Sequence, residues 1–204
     1  ILRMLIEKEL PLSLDKLIAI GTEEESVVPG VKDATEELKQ FFHDRLRVMQ
    51  KDQGFTAHEV ESVIGSEPAI LADVPKRLKA VHDFMSLPEA ESLAAANKRI
   101  ENILKKNTLP LADAVDPALL TEKEEKDLYE AIRTLEPKLE ADYKAGRYED
   151  ELRSLAPLKA PVDAFFDKVM VNAEDEALRR NRLTLLNELH KAMNQVAKLS
   201  CLAS

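Results

Sequence analysis

Two His-Asp dipeptides, His43-Asp44 and His82-Asp83, are the first residues in this chain whose types and spacing could do chemistry. Adjacent His and Asp side chains serve as metal ligands in phosphohydrolases. One dipeptide fills only part of a coordination shell, however, and further His and Asp ligands must come from neighbouring helices. Only His58 and His190 remain, and neither sits in a supporting pattern, so the dipeptides read as exposed or capping pairs and no metal site is expected. No Ser, Cys or Lys lies in a recognisable nucleophile motif, and 5 scattered glycines leave no phosphate-cradling loop. Carboxylates are abundant but none stands out as a general acid or base. No catalytic residue is expected, and no cofactor.

The more specific signal is the placement of positive charge. Residues 97–106 hold Lys98, Arg99, Lys105 and Lys106 against the single carboxylate of Glu101. On a helical wheel these four cations and Asn102 share one face, opposite Leu93, Ala96, Ile100, Ile103 and Leu104. A second amphipathic segment near the end repeats the arrangement. Leu178, Leu185, Leu186, Leu189, Met193 and Val196 form its apolar face, and Arg180, Asn187, Lys191, Asn194 and Lys198 fall along an opposite stripe. Arg182 points toward the apolar side, where an arginine must find a carboxylate or emerge at the bundle edge, because burying it alone is costly. Cations that hold phosphates, mixed with Asn amides able to read base edges, suit single-stranded RNA. A solvated helix surface and a helical scaffold with an apolar protein-binding face remain alternatives.

The elements that must position these residues are helices. A capless apolar stretch from Ile1 to Leu10 and a short helix to about Ile20 precede a loop over Gly21–Lys32. A helix from Asp33 to about Gln53 carries Leu38, Phe41, Phe42, Leu46 and Met49 and stops at Gly54. Thr56 caps a helix to Ile64, and helices follow over about 68–86 and 88–106. After a loop from Asn107 to Pro117, Thr121 with Glu124 has the form of a capping box. The helix it opens runs to about Ala145 and is expected to kink at Pro137. Pro157 and Pro161 break the segment from Tyr148 to Val171, and a last helix runs to about Leu202. Residues 1–87 divide off as a helical connecting region and 88–204 as a helical bundle.

Composition agrees with an all-α chain. Of 204 residues, 45% are hydrophobic and 33% charged, whereas aromatics are 4% and Trp is absent, too few for a strand-rich core. The net charge of −9 argues against a general nucleic-acid coat, so any RNA contact has to be a local basic face. The single cysteine, Cys201, excludes an internal disulfide, and a reducing, cytoplasmic setting is expected. No apolar run reaches the ~18 residues needed to span a bilayer, so no membrane partner is expected. The apolar helical pattern at Ile1 suggests a piece of a longer polypeptide.

The run from Phe165 to Leu199 resembles the C-terminal helices of the beta subunit of bacterial-type glycyl-tRNA synthetase. FFHDRLRVMQKDQGF (Phe41–Phe55) and LAAANKRIENIL (Leu93–Leu104) resemble segments of the same subunit in the same order, and ILRMLIEKELPLSLDKLI at the start resembles the end of its preceding domain. Glu176-Ala177-Leu178-Arg179 departs by one residue, with charge kept, from the Asp-Ala-Leu-Arg signature of an anticodon-binding class. Arginyl- and cysteinyl-tRNA synthetases share that class, and AANKRIENILKK is similar to the opening helix of the arginyl version. The resemblance implies an all-α fold, a helical linker region followed by an anticodon-binding bundle. It implies recognition of glycine tRNA, tRNA(Gly), in an alpha2beta2 enzyme whose alpha subunit activates glycine with ATP and Mg2+. DNA is not an implied partner. The implied RNA contacts are Arg179, Arg180, Asn181 and Arg182 at the start of the last helix and Asn97, Lys98 and Arg99 on its companion. Asn187, Lys191 and Asn194 extend the stripe.

Overall fold

The computed structural model describes residues 1–25 and 34–203, and within them every regular element is a helix. The order is α1 (Leu2–Glu7), α2 (Leu14–Glu25), α3 (Thr35–Asp52), α4 (Ala57–Ile64), α5 (Val74–Met85), α6 (Ala90–Lys106), α7 (Lys123–Lys144), α8 (Tyr148–Arg153), α9 (Lys159–Lys168) and α10 (Glu176–Met193). Short 3-10 turns over Leu71–Asp73, Pro117–Leu119, Ala156–Leu158 and Leu199–Leu202 join or follow them. The loop expected over Gly21–Lys32 begins as the last turn of α2, and residues 26–33 lie outside the described residues.

Local chemistry sets most boundaries. Thr56 caps α4: its hydroxyl accepts from Glu59 N at 3.2 Å, while Glu59 Oε2 accepts from Thr56 N at 2.7 Å. Gly54 ends α3 with φ 98°, a backbone region glycine enters without the Cβ clash. The capping box at the head of α7 is displaced by one residue from the expected pair. Glu122 and Glu125 form it, and Thr121 donates its own N–H and hydroxyl to Glu125 Oε2. α7 continues through Pro137 as a single element. The end of the last helix differs with the most consequence. α10 ends at Met193, not near Leu202, because Asn194 donates to His190 O (2.6 Å) and accepts from Leu199 N (2.9 Å), turning the chain back. Lys198 N then bonds Ser62 O at 2.7 Å, fastening the final turn to α4.

A continuous apolar core runs from Leu5 to Ala203. α6 packs on α10 and on the Leu199–Leu202 turn, α7 packs on α8, α9 and α10, and α5 packs on α8. Leu93, Ile100, Leu128, Leu152, Phe165, Leu185 and Leu189 meet inside, each at most 1% exposed. Burial of each such side chain contributes about 1.5–3 kcal/mol, which fixes α6 and α10 as neighbours and decides which of their faces stay outside.

Candidate nucleic-acid interface

α6 and α10 each follow the 3.6-residue repeat, so their polar side chains sort by angle into inward, shared-edge and outward sets. Asn97 goes inward. It stands four residues after Leu93 on the packed side of α6, is 0% exposed, and its amide oxygen and nitrogen have no hydrogen-bond partner among the described residues. Asn181 also goes inward, where its Oδ1 accepts from Asp116 N (2.8 Å) and its Nδ2 donates to Asp116 O (3.0 Å). With Thr184, which accepts from Ala112 N at 3.1 Å, it holds the 107–119 loop along α10.

Arg182 is the internal arginine that the wheel left undecided, and it pairs inside. Its Nε donates to Glu125 Oε1 at 2.6 Å, Nη1 donates to Met170 O at 2.8 Å, and Nη2 reaches Thr121 Oγ1 at 3.3 Å. The two charged side chains are 6% and 0% exposed. Burial pushes the Glu125 carboxyl up, but the Arg182 guanidinium and the donors at Glu122 and Thr121 outweigh it and hold the group below its ordinary value. The expectation that Asn97, Asn181 and Arg182 meet RNA is therefore corrected: burial takes all three out of the exposed surface. Asn194 is corrected for a different reason, since its amide caps α10 and the wheel cannot be extended past Met193.

The remaining residues face outward, and their pairing separates them. Lys105 and Lys198 both sit on Glu101, at 2.7 and 3.0 Å. Burial raises the Glu101 pKa, but its bonds from Lys105, Ser200 and Lys198 bring it to about 2. Arg180 pairs with Glu176 at 3.0 Å. By contrast, Lys98, Arg99, Lys106, Arg179 and Lys191 have no carboxylate within 4.0 Å among the described residues. The acids nearest to them in sequence are engaged elsewhere. Glu101 serves Lys105 and Lys198. Glu176, three residues before Arg179, takes Arg180 at 3.0 Å, and Asp175, four before, caps α10 by accepting from Leu178 N at 3.0 Å. Glu188, three before Lys191, takes Arg133 at 2.6 Å and the amide of Val115 at 3.3 Å.

Two shallow depressions bring much of this set together. One is lined by Ala95, Lys98, Arg99, Asn102, Ile103 and Lys106. The next is lined by Ile103, Lys106, Asn107, Thr108, Leu109, Asn172, Arg179 and Leu183. They share Ile103 and Lys106, so the end of α6 and the start of α10 form one groove. Lys98, Arg99 and Arg179, singled out from sequence, meet there. Asn187 is half-buried and Lys191 exposed farther along α10, one helical turn apart. Lys106 and Asn102 were visible on the basic face of the wheel, but Asn107 and Asn172 were not, because they belong to loops that only the fold carries to the groove.

The His-Asp dipeptides are occupied differently. His82 Nδ1 lies 2.8 Å from Glu59 Oε1, Asp83 takes Lys79 at 3.2 Å, and Asp44 takes Arg47 at 2.9 Å. No three His, Cys, Asp or Glu side chains gather in a way that could hold a metal ion among the described residues. Nor is any described helix long and apolar enough to cross a membrane.

Fold and groove together define the class: an all-α bundle with an exposed cationic surface between two packed helices. Residues 93–200 match the family described as the DALR anticodon binding domain, and the chain belongs to that family. Over its whole length it is also similar to proteins named glycine–tRNA ligase beta subunit, 51% identical to that of Delftia acidovorans, 49% to that of Dechloromonas aromatica and 50% to that of Leptothrix cholodnii. The chain spans 28–29% of the length of these relatives.

Proposed function

We propose that this chain recognises the anticodon arm of glycine tRNA, as the C-terminal part of a glycine–tRNA ligase beta subunit. The observation that carries the reading is the concentration on one groove of an otherwise acidic chain of cations that meet no carboxylate among the described residues, Lys98 (which donates to Ala203 O at 3.3 Å), Arg99, Lys106 and Arg179. Charges left free of carboxylates cost little to bring against phosphates, and the counterions they displace from the RNA drive association. Lys98, Lys106 and Arg179 would position the backbone, with Arg180 and Lys191 farther along α10. Asn102, Asn107, Asn172 and Asn187 are the amides placed to meet base edges.

Within the complete enzyme this contact would orient the tRNA, so that its distant acceptor end reaches an alpha subunit that activates glycine with ATP and Mg2+. The setting would be the cytoplasm, where tRNA is charged. Titration of the complete enzyme with glycine tRNA, against the same tRNA carrying a swapped anticodon, tests the reading. Affinity is expected to fall when the anticodon is changed and to fall linearly in log-log form with salt, and equal affinity for both tRNAs would overturn it.

A further inference from the structure

Arg99 differs from the other cations of the groove. Its guanidinium carbon lies 4.1 Å from the ring centroid of Phe166 on α9, the geometry of a cation–π stack. Phe166 is itself held edge-on by Phe165, at 5.6 Å and 81°, and Phe165 is 0% exposed in the core. The plane of the guanidinium is thus anchored to the packed interior while Arg99 remains exposed. Ala95 and Ile103, four residues before and after it, give the adjoining depression a small apolar floor, and Asn102 brings an amide with no protein partner among the described residues.

We propose that this depression is a base subsite, which takes one unstacked nucleobase of the anticodon loop. The base stacks against Arg99 on the side away from Phe166 and turns its edge toward the Asn102 amide, with Lys98 and Lys106 on the flanking phosphates. The proposal rests on the anticodon reading above and adds which residues receive a base. Three physical features favour a base here over a phosphate alone. A phosphate needs charge, which any of the neighbouring lysines supplies, whereas stacking needs a flat, delocalised cation, which lysine cannot provide. A guanidinium already lying on a ring has lost much of its rotamer freedom before the ligand arrives, so less entropy is lost on binding. Finally, a site with an apolar floor and an unpaired amide matches the chemistry of a nucleobase, with its π-face and its polar edge.

The experiment measures affinity of the complete enzyme for glycine tRNA, and for a panel of glycine tRNAs each changed at one anticodon-loop base, over a salt series. Arg99→Lys keeps the charge and removes the plane. It is expected to weaken binding about five- to a hundred-fold, to leave the slope of log affinity against log salt unchanged, and to abolish the penalty for changing one particular base. Ala95→Met fills the depression without touching a charge, and is expected to reproduce that loss. Lys106→Gln is expected to lower the slope by about 0.7 with base discrimination intact. If Arg99→Lys binds like the parent, or weakens all members of the panel equally, the base subsite is refuted, while the anticodon reading survives as long as the parent still rejects the swapped anticodon. If the parent binds the whole panel equally, both fall together.

Discussion

The α6–α10 groove and the α7–α8 flank contain the same kinds of residue and treat them in opposite ways. On α7 and α8, Lys123 meets Asp127, Arg133 meets Glu136 and Glu188, Lys138 and Arg147 share Asp142, Lys144 meets Glu140, and Arg153 meets Glu149. Most of these are i,i+3 or i,i+4 pairs on one helix face, and each adds only a few tenths of a kcal/mol. Their larger consequence is that, among the described residues, nearly every cation of this flank already meets a carboxylate. On the groove the nearby acids cap a helix, hold a loop or bind other lysines, and the cations are left over. Counting charges already separates the two regions, since α7 and α8 hold 6 Lys and Arg against 10 Asp and Glu while α6 and α10 hold 8 against 4, and pairing shows which of the cations stay free of acids.

Breaking the contrast from the inside has the largest expected effect. Arg182→Ala strands Glu125 in the core, and unfolding by urea is expected to show a loss of about 3–5 kcal/mol. Arg179→Ala, three residues away on the exposed side, is expected to change stability by less than about 0.5 kcal/mol while weakening tRNA binding. Comparable stability losses for both would erase the distinction between the buried and the groove arginines.

A second test uses a fully buried acid of the α7–α8 flank. Glu151 is 0% exposed, and neither carboxylate oxygen has a hydrogen-bond partner among the described residues. Burial, with Asp142 adding to it and Arg77 and Lys138 opposing, pushes its pKa from 4.5 up to about 8. The folded state therefore holds a proton that the unfolded state releases. The stability this group contributes is fully present below about pH 4.5 and is lost as pH rises toward about 8. Glu151→Gln is expected to match the parent near pH 4.5 and to exceed it by more than about 1 kcal/mol at pH 8, measured by urea unfolding across the pH range. Parallel pH curves for the two proteins would count against a neutral Glu151.

The smallest effects sharpen the comparison between the two surfaces. Lys98→Gln is expected to reduce the salt slope of tRNA affinity by about 0.7, and Lys191→Gln by no more than that. Lys144→Gln on the opposite flank, where the lysine already meets Glu140, is expected to leave affinity and slope unchanged. A slope change at Lys144 equal to that at Lys98 would move the footprint off the groove.

Much of this is readable from the sequence alone. The all-α fold follows from helical periodicity, few aromatics and few glycines. The caps at Thr56 and Gly54 and the proline-broken stretch after Tyr148 rest on interactions within a few residues, whereas the cost of burying charge left two places open for Arg182, and Glu125, 57 residues away, decided between them. Even the burial of Asn97 had a local signal, its spacing from Leu93 and Leu104. Sequence periodicity ranks faces by angle, and that ranking is intrinsic to the helix.

What only the tertiary structure decided is which neighbour covers each face and which acid each cation reaches. Asn194 became a helix stop through bonds to His190 and Leu199 within five residues, whereas Asn181, an RNA contact that the resemblance implied, became a loop tether because Asp116 arrives from 65 residues away. Asn107 and Asn172 joined the groove for the same reason. That Lys98 and Lys191 meet no carboxylate among the described residues likewise depends on Glu101 and Glu188 being taken by Lys198 and Arg133. A side chain's partner is set by distance in space, and for groups tens of residues apart that distance exists only once the core has closed.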